Sequence, residues 1–127
     1  MRGIEFRGKI VGAEGFVYGK LLAPLASGNA YIAYDVNEVR SFVYISRSEK
    51  VDPETVGQYT GLKDKYGKKI FEGDICWDEH NECCGVVKFE EGKFLYVWEN
   101  IAEDLWEVAD GIEICGNIHE NLELLEA

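Results

Sequence analysis

A chain of 127 residues with 46% hydrophobic and 29% charged residues can bury a core without disulfides or metal, and is too apolar to be disordered. It contains no run of about 18 apolar residues, which excludes a membrane-spanning helix. The net charge of −11 is uneven: residues 1–70 hold 11 Lys and Arg against 8 Asp and Glu, residues 71–127 hold 2 against 16, and so acidic a balance argues against sequence-independent binding to nucleic acid, which needs a cationic footprint.

The opening stretch, residues 1–15, breaks its apolar residues with charge and does not read as an export signal, so the expected compartment is the cytoplasm. Its four cysteines are then expected as reduced thiols. Ile4 and Phe6 alternate with Glu5 and Arg7, and Val17 and Leu21 with Phe16, Tyr18 and Lys20, as strands with two different faces do. Residues 31–34 and 42–45 are apolar on both sides, which suits central strands. Pro24 and Pro53 fall between the apolar segments, where no ladder N–H is needed. A seam is expected at residues 49–54, where polar residues meet a proline.

The run from Val56 to Cys76 reads as strand, tight turn, strand, turn, strand. Asp64-Lys65-Tyr66-Gly67 has an acid at its entry and glycine at the position that needs positive φ, and Glu72-Gly73-Asp74 bends the chain into Ile75-Cys76-Trp77. Further on, Val87 and Phe89 alternate with Val86 and Lys88, Phe94, Tyr96 and Trp98 with Leu95 and Val97, and Ile112 and Ile114 with Glu113 and Cys115. Asn100 is placed to cap a short helix over 101–105, and Asn121 one over 122–125. Short apolar segments punctuated by turns predict an all-β, mainly β chain with few short helices. Ile75, Val87, Phe89, Ile112 and Ile114 are the expected core of its second half.

Several of these stretches match a known family. Residues 54–65, Gly67–Ile75, and the closing Gly116-Asn117-Ile118-His119-Glu120-Asn121 with Leu122, Leu124 and Leu125 after it resemble the YopX-like proteins of phages and prophages. Ile4–Lys9 and Val17-Tyr18-Gly19 resemble that family's start, so the likeness covers nearly the whole chain. It implies a β-rich N-terminal part over 1–54 and a small Src-homology-3-like β-barrel over 55–127. It also implies phage or prophage origin and a bacterial host cytoplasm, and it brings no catalytic or ligand residue.

All cysteines and histidines lie in the last half, and Cys76 with His80 and Cys115 with His119 share a four-residue spacing. They are the weak candidates for a zinc site, but no C-x-x-C pair accompanies them, so no metal and no cofactor is expected. Cys83 and Cys84 sit among Asp78, Glu79 and Glu82, which disfavours a thiolate nucleophile. Adjacent acids such as Asp78-Glu79, Glu90-Glu91 and Glu103-Asp104 are too common here to mark an acid–base pair. The expected role is a non-enzymatic protein-binding or assembly module, the alternative a hydrolase or metal-dependent enzyme using the Cys, His and acids of the C-terminal half. The candidate interaction surface is Lys63, Lys65, Tyr66, Lys68, Lys69 and Trp106, facing a protein partner or the acidic half of a second copy in a homo-oligomer.

Overall fold

The computed structural model describes residues 4–22 and 27–126, so Pro24 lies outside the described residues. The chain divides into two compact units, Met1–Gln58 and Tyr59–Ala127, and the division falls inside a strand, just past the polar stretch 49–54 that looked like a seam.

In the first unit four strands form an antiparallel meander: β1 (Phe6–Lys9), β2 (Phe16–Leu22), β3 (Ala30–Val39) and β4 (Phe42–Val51). Phe6 and Arg7 also pair with Gln58 and Gly57, the first residues of β5 (Gly57–Lys63). The chain leaving β1 returns to β4, where Ile10 bridges Val51 and the Val11 N–H donates to the Lys50 carbonyl at 3.0 Å. Ala30, Ile32 and Val51 are fully buried, with Phe6, Val17, Leu21 and Val56 packed on them. Thr55 secures the exit, its hydroxyl accepting from the Lys9 N–H at 2.8 Å and donating to the Asp52 carbonyl at 2.7 Å.

The even apolar character of residues 31–34 fits a central strand, since β3 pairs with both β2 and β4. Residues 42–45 do not follow. β4 is an outer strand, and Phe42, Val43 and Ile45 are exposed, as are Tyr34 and Val39 on β3, Val39 directly opposite Phe42. The far half of the hairpin extends past the short strands β1 and β2, so it has no sheet face to cover it.

In the second unit the rest of β5 pairs with β6 (Lys69–Phe71) around the Asp64–Gly67 turn. Then β7 (Asp74–Asp78), β8 (Cys83–Glu90), β9 (Lys93–Trp98) and β10 (Ile101–Asp104) form a meander. A single helical turn, α1 (Leu105–Val108), and a 3-10 turn over Ala109–Gly111 lead into β11 (Ile112–Asn117), which comes back to pair with β7. The sheet order is β10-β9-β8-β7-β11, and it does not close into a barrel. β10 gives way to α1 after four residues and does not continue along a partner on its free side. Leu105 and Ala109 from the helical link drop into a core of Ile70 from β6 and of Cys76, Val87, Tyr96 and Ile112, the last four on one face of the sheet. Tyr96 is fully buried, and its hydroxyl donates to the Cys76 carbonyl at 2.9 Å, so its polar end is satisfied inside.

Three expectations meet different outcomes here. Gly67 and Gly73 have φ of 82° and 94°, as the turns required. Asn100 caps nothing: residues 101–104 pair with β9, and it is Asp104 whose side chain accepts from the Trp106 N–H at the start of α1. Ile75, Val87 and Ile112 are buried and Ile114 packs against the core, but Phe89 is 49% exposed. Alternation puts Phe89 on the core side, yet β8 has by then run past the core's edge, and its ring is left with Phe94 at 4.8 Å between centroids. Truncating Phe89 is therefore expected to cost about 1 kcal/mol, against roughly 2–5 kcal/mol for Ile112→Ala, in urea unfolding of the two variants. Equal losses would mean that Phe89 is a core residue after all.

Candidate interaction surfaces

Buried carboxylates and amides fix the turns of the second unit. Asp64 is 5% exposed; its Oδ1 accepts from the Tyr66 and Lys68 N–H groups, both at 2.9 Å, and its Oδ2 from Ile114 N–H at 3.0 Å. The Lys65 N–H donates to the Ile112 carbonyl at 3.0 Å, so the hairpin turn is tied to β11 twice. Burial works against the Asp64 carboxylate, but the three backbone donors together outweigh it and hold its carboxyl below the ordinary range. At the next turn the Phe71 N–H donates to Asp74 Oδ2 at 2.7 Å, while Gly73 bonds through its N–H to Val87 and through its carbonyl to Ile118.

The closing family-like stretch follows the same logic. Asn117 Oδ1 accepts from His119 and Glu120 N–H groups at 3.0 and 3.1 Å, and Asn121 Oδ1 accepts from the Asn117 N–H at 3.1 Å. Asn121 thus precedes the 3-10 turn Leu122–Leu125 without capping it by its side chain; the side chain points back to the strand. Gly116 is the residue this requires, because a Cβ there would lie 2.7 Å from Asn121 Oδ1.

The residues weighed for a metal do not converge. Cys76 faces the core, whereas Cys115 is exposed and its thiol donates to the Ile75 carbonyl at 3.4 Å. His80 is held in a turn by its backbone N–H on Asp78 Oδ1, and His119 by its N–H on Asn117. Among the described residues no group of three or more His, Cys, Asp or Glu is placed to hold a metal ion. Burial pushes the Cys76 thiol well above its usual range, with Asp74 adding to it, and raises Cys83 beside Asp78. Cys115 is pushed up to about 11, by burial first and then by Cys84.

Of the proposed contact residues, Tyr66 and Trp106 are 68% and 75% exposed. Lys63, Lys68 and Lys69 are exposed around the Asp64 turn, and Lys69 Nζ stands 5.3 Å from the Tyr59 ring centroid. Lys65 is spoken for in part within its own unit, with Nζ 3.4 Å from Glu79 Oε2.

A second surface was not visible in the sequence. On the sheet face opposite the core, Ile75, Val86 and Val97 lie side by side across β7, β8 and β9, and Trp77 lies beside Cys84 in the next row. The turn Leu122–Leu125 reaches over β8, with Val86 only 9% exposed. Beside it opens a concave space of about 670 Å³, lined by Trp77, Trp98, Cys84, Val97, Leu124 and Leu125. Glu82 and Glu99 stand at its margin, and Lys88 is the one cation lining it. Trp98 is fixed by its indole N–H on Glu103 Oε2 at 2.8 Å. Strong alternation in β8 and β9 favoured one buried face; what it did not reveal is that the other face is apolar too.

The YopX protein family model matches residues 5–126. The chain belongs to that family. The fold of this chain is similar to that in a crystal structure of protein EF1440 from Enterococcus faecalis, with a TM-score of 0.68 and 23% identity, covering 96% of this chain and 97% of that one. No curated protein matches the chain. Among the described residues no helix is long and apolar enough to cross a membrane.

Replacing Asp64 by alanine leaves three backbone donors without their charged acceptor, a loss expected at roughly 3 kcal/mol or more of unfolding free energy. With the folded carboxyl held below the ordinary aspartate value of 3.8, its contribution is fully present above that pH and is lost as pH falls through the depressed value. Chemical denaturation from about pH 6 down to about pH 2 should show this acid-side loss, most of it at the acid end, in the native chain and less of it in Asp64→Asn.

Proposed function

We propose that this YopX-family chain is a non-enzymatic protein-binding or assembly module, encoded by a phage or prophage and acting in the cytoplasm of the bacterial host. The observation that supports this best is the β3–β4 hairpin of the first unit, which offers Phe42, Val43 and Ile45 of the outer strand β4 to solvent, with Tyr34 and Val39 of β3 exposed beside it. A long apolar outer strand is a template for pairing with another chain unless something covers it. A second copy is the occupant favoured here. The split between a basic 63–69 stretch and an acidic last half steers such an encounter, while the apolar hairpin supplies the affinity.

The second unit is further read as an opened member of the Src-homology-3-like class. The support is its connectivity: a four-strand meander β7–β10, one helical turn, and a last strand that returns to pair with the first. The enzyme alternative draws less support, since burial raises the Cys76, Cys83 and Cys115 thiols and a raised thiol is a weak nucleophile at neutral pH.

Sedimentation at micromolar concentration tests the assembly reading. The native chain should run heavier than a monomer at low and high salt, more slowly assembled at high salt because screening weakens steering. Phe42→Asp with Val43→Asp, both at exposed positions, should give a folded monomer by circular dichroism. A native chain that is monomeric under both conditions removes the assembly reading.

A further inference from the structure

We propose that the concave space beside Trp77 on the outer face of the second unit's sheet, with Val86 and Val97 as its floor, binds an extended segment of another protein that carries a lysine or arginine beside a bulky apolar residue. This rests on the binding-module reading but not on the β3–β4 hairpin, which belongs to the other unit.

Size, surface and charge each bear on it. A space of about 670 Å³ suits one large side chain and its neighbours, well below a whole domain. Its floor is the apolar row Val86–Val97, and Trp77, 37% exposed on an otherwise closely packed sheet, forms one wall. A tryptophan face held at the edge of a cleft takes either an aliphatic side chain or a cation.

The charge selects between partners. Glu82 and Glu99 flank the space against a single Lys88, and the sequence around them, residues 71–127, carries 16 acids to 2 lysines. An acidic segment would meet repulsion there, a neutral one would gain only the apolar contact, and a basic one gains both. Both glutamates also occupy left-handed backbone, with φ of 49° and 51°, at the ends of β8 and β9 where glycine or asparagine is the less strained choice. Glu82 precedes β8 and Glu99 follows β9, and because these strands run antiparallel both acids stand at the same end of the sheet, beside the Trp77–Cys84 row.

Trp106→Phe, at an exposed position outside the cleft, leaves Trp77 and Trp98 as the fluorescent reporters. Three synthetic peptides of equal length would be titrated into it: a Lys-Leu-Lys centre flanked by Ser and Gly, the same with Glu for Lys, and the same with Ser for Lys. The lysine peptide should saturate the tryptophan signal at least tenfold more tightly than the other two, and lose that margin in high salt. Glu82→Gln with Glu99→Gln should weaken it about tenfold, and Trp77→Ala should abolish it; the glutamine variant keeps the test valid if the alanine variant does not fold. Amide NMR shifts on binding should gather on β7–β9. Equal affinity for all three peptides, no saturation by about 1 mM, or shifts gathered on β4 would each overturn the proposal. So would a peptide of this chain's own residues 62–70 binding more tightly than the lysine peptide, which would assign the cleft to a second copy. None of these outcomes depends on whether the Phe42 and Val43 variant is a monomer, so the two readings fail separately.

Discussion

Asp64 is the point on which the second unit turns. One carboxylate closes its own hairpin through Tyr66 and Lys68 and reaches β11 through Ile114. Because β11 is the strand that returns to β7, the same carboxylate holds the beginning and the end of the unit in register. A neutral side chain there could meet the geometry of one or two of these donors but not the charge that makes all three strong. The remaining turns repeat the device on a smaller scale, with Asp74 on the Phe71 N–H, Asp78 on His80 and Asn81, and Asn117 on His119 and Glu120. Asp74, Asp78 and Asp104, three of the 16 acids of residues 71–127, thus serve as backbone ligands.

That arrangement explains which parts were legible in the sequence. Turns announce themselves because their chemistry is local: Gly67 and Gly73 are where positive φ is needed, and the acid of each turn lies within a few residues of the N–H groups it serves. The all-β character and the buried Ile75, Val87 and Ile112 follow from alternation in the same way. Sequence could not show that Asp64 also binds a residue 50 positions away.

The misreadings have one cause in common. Alternation tells which side a residue points to, and not whether anything stands there. Phe89 points to the core side of a strand that has outrun its core. Phe42, Val43 and Ile45 belong to a strand that has outrun the sheet. Asn100 offered a cap signal, but a neighbouring strand took the residues after it and Asp104 did the capping. The tryptophan cleft was missed for the converse reason: Trp77 and Val97 occupy what an amphipathic strand would make its polar side.

The return of β11 to β7 has a consequence in time. Each other pairing in the second unit's sheet joins neighbours in sequence, so the meander β7–β10 has only short loops to close. The Asp78–Ile112 and Asp74–Asn117 pairings close the longest loop of all and must wait for it. While a nascent chain is being made, the inner edge of β7 therefore stays open until residues 112–117 have left the ribosome. During that interval the fully apolar Ile75 and Cys76 stand on a strand with one unpaired side, the condition under which β-rich chains pair with the wrong neighbour. Synthesis rate over the last third of the message, and any chaperone that covers an open strand edge, thus bear on the yield of folded protein without touching its final stability.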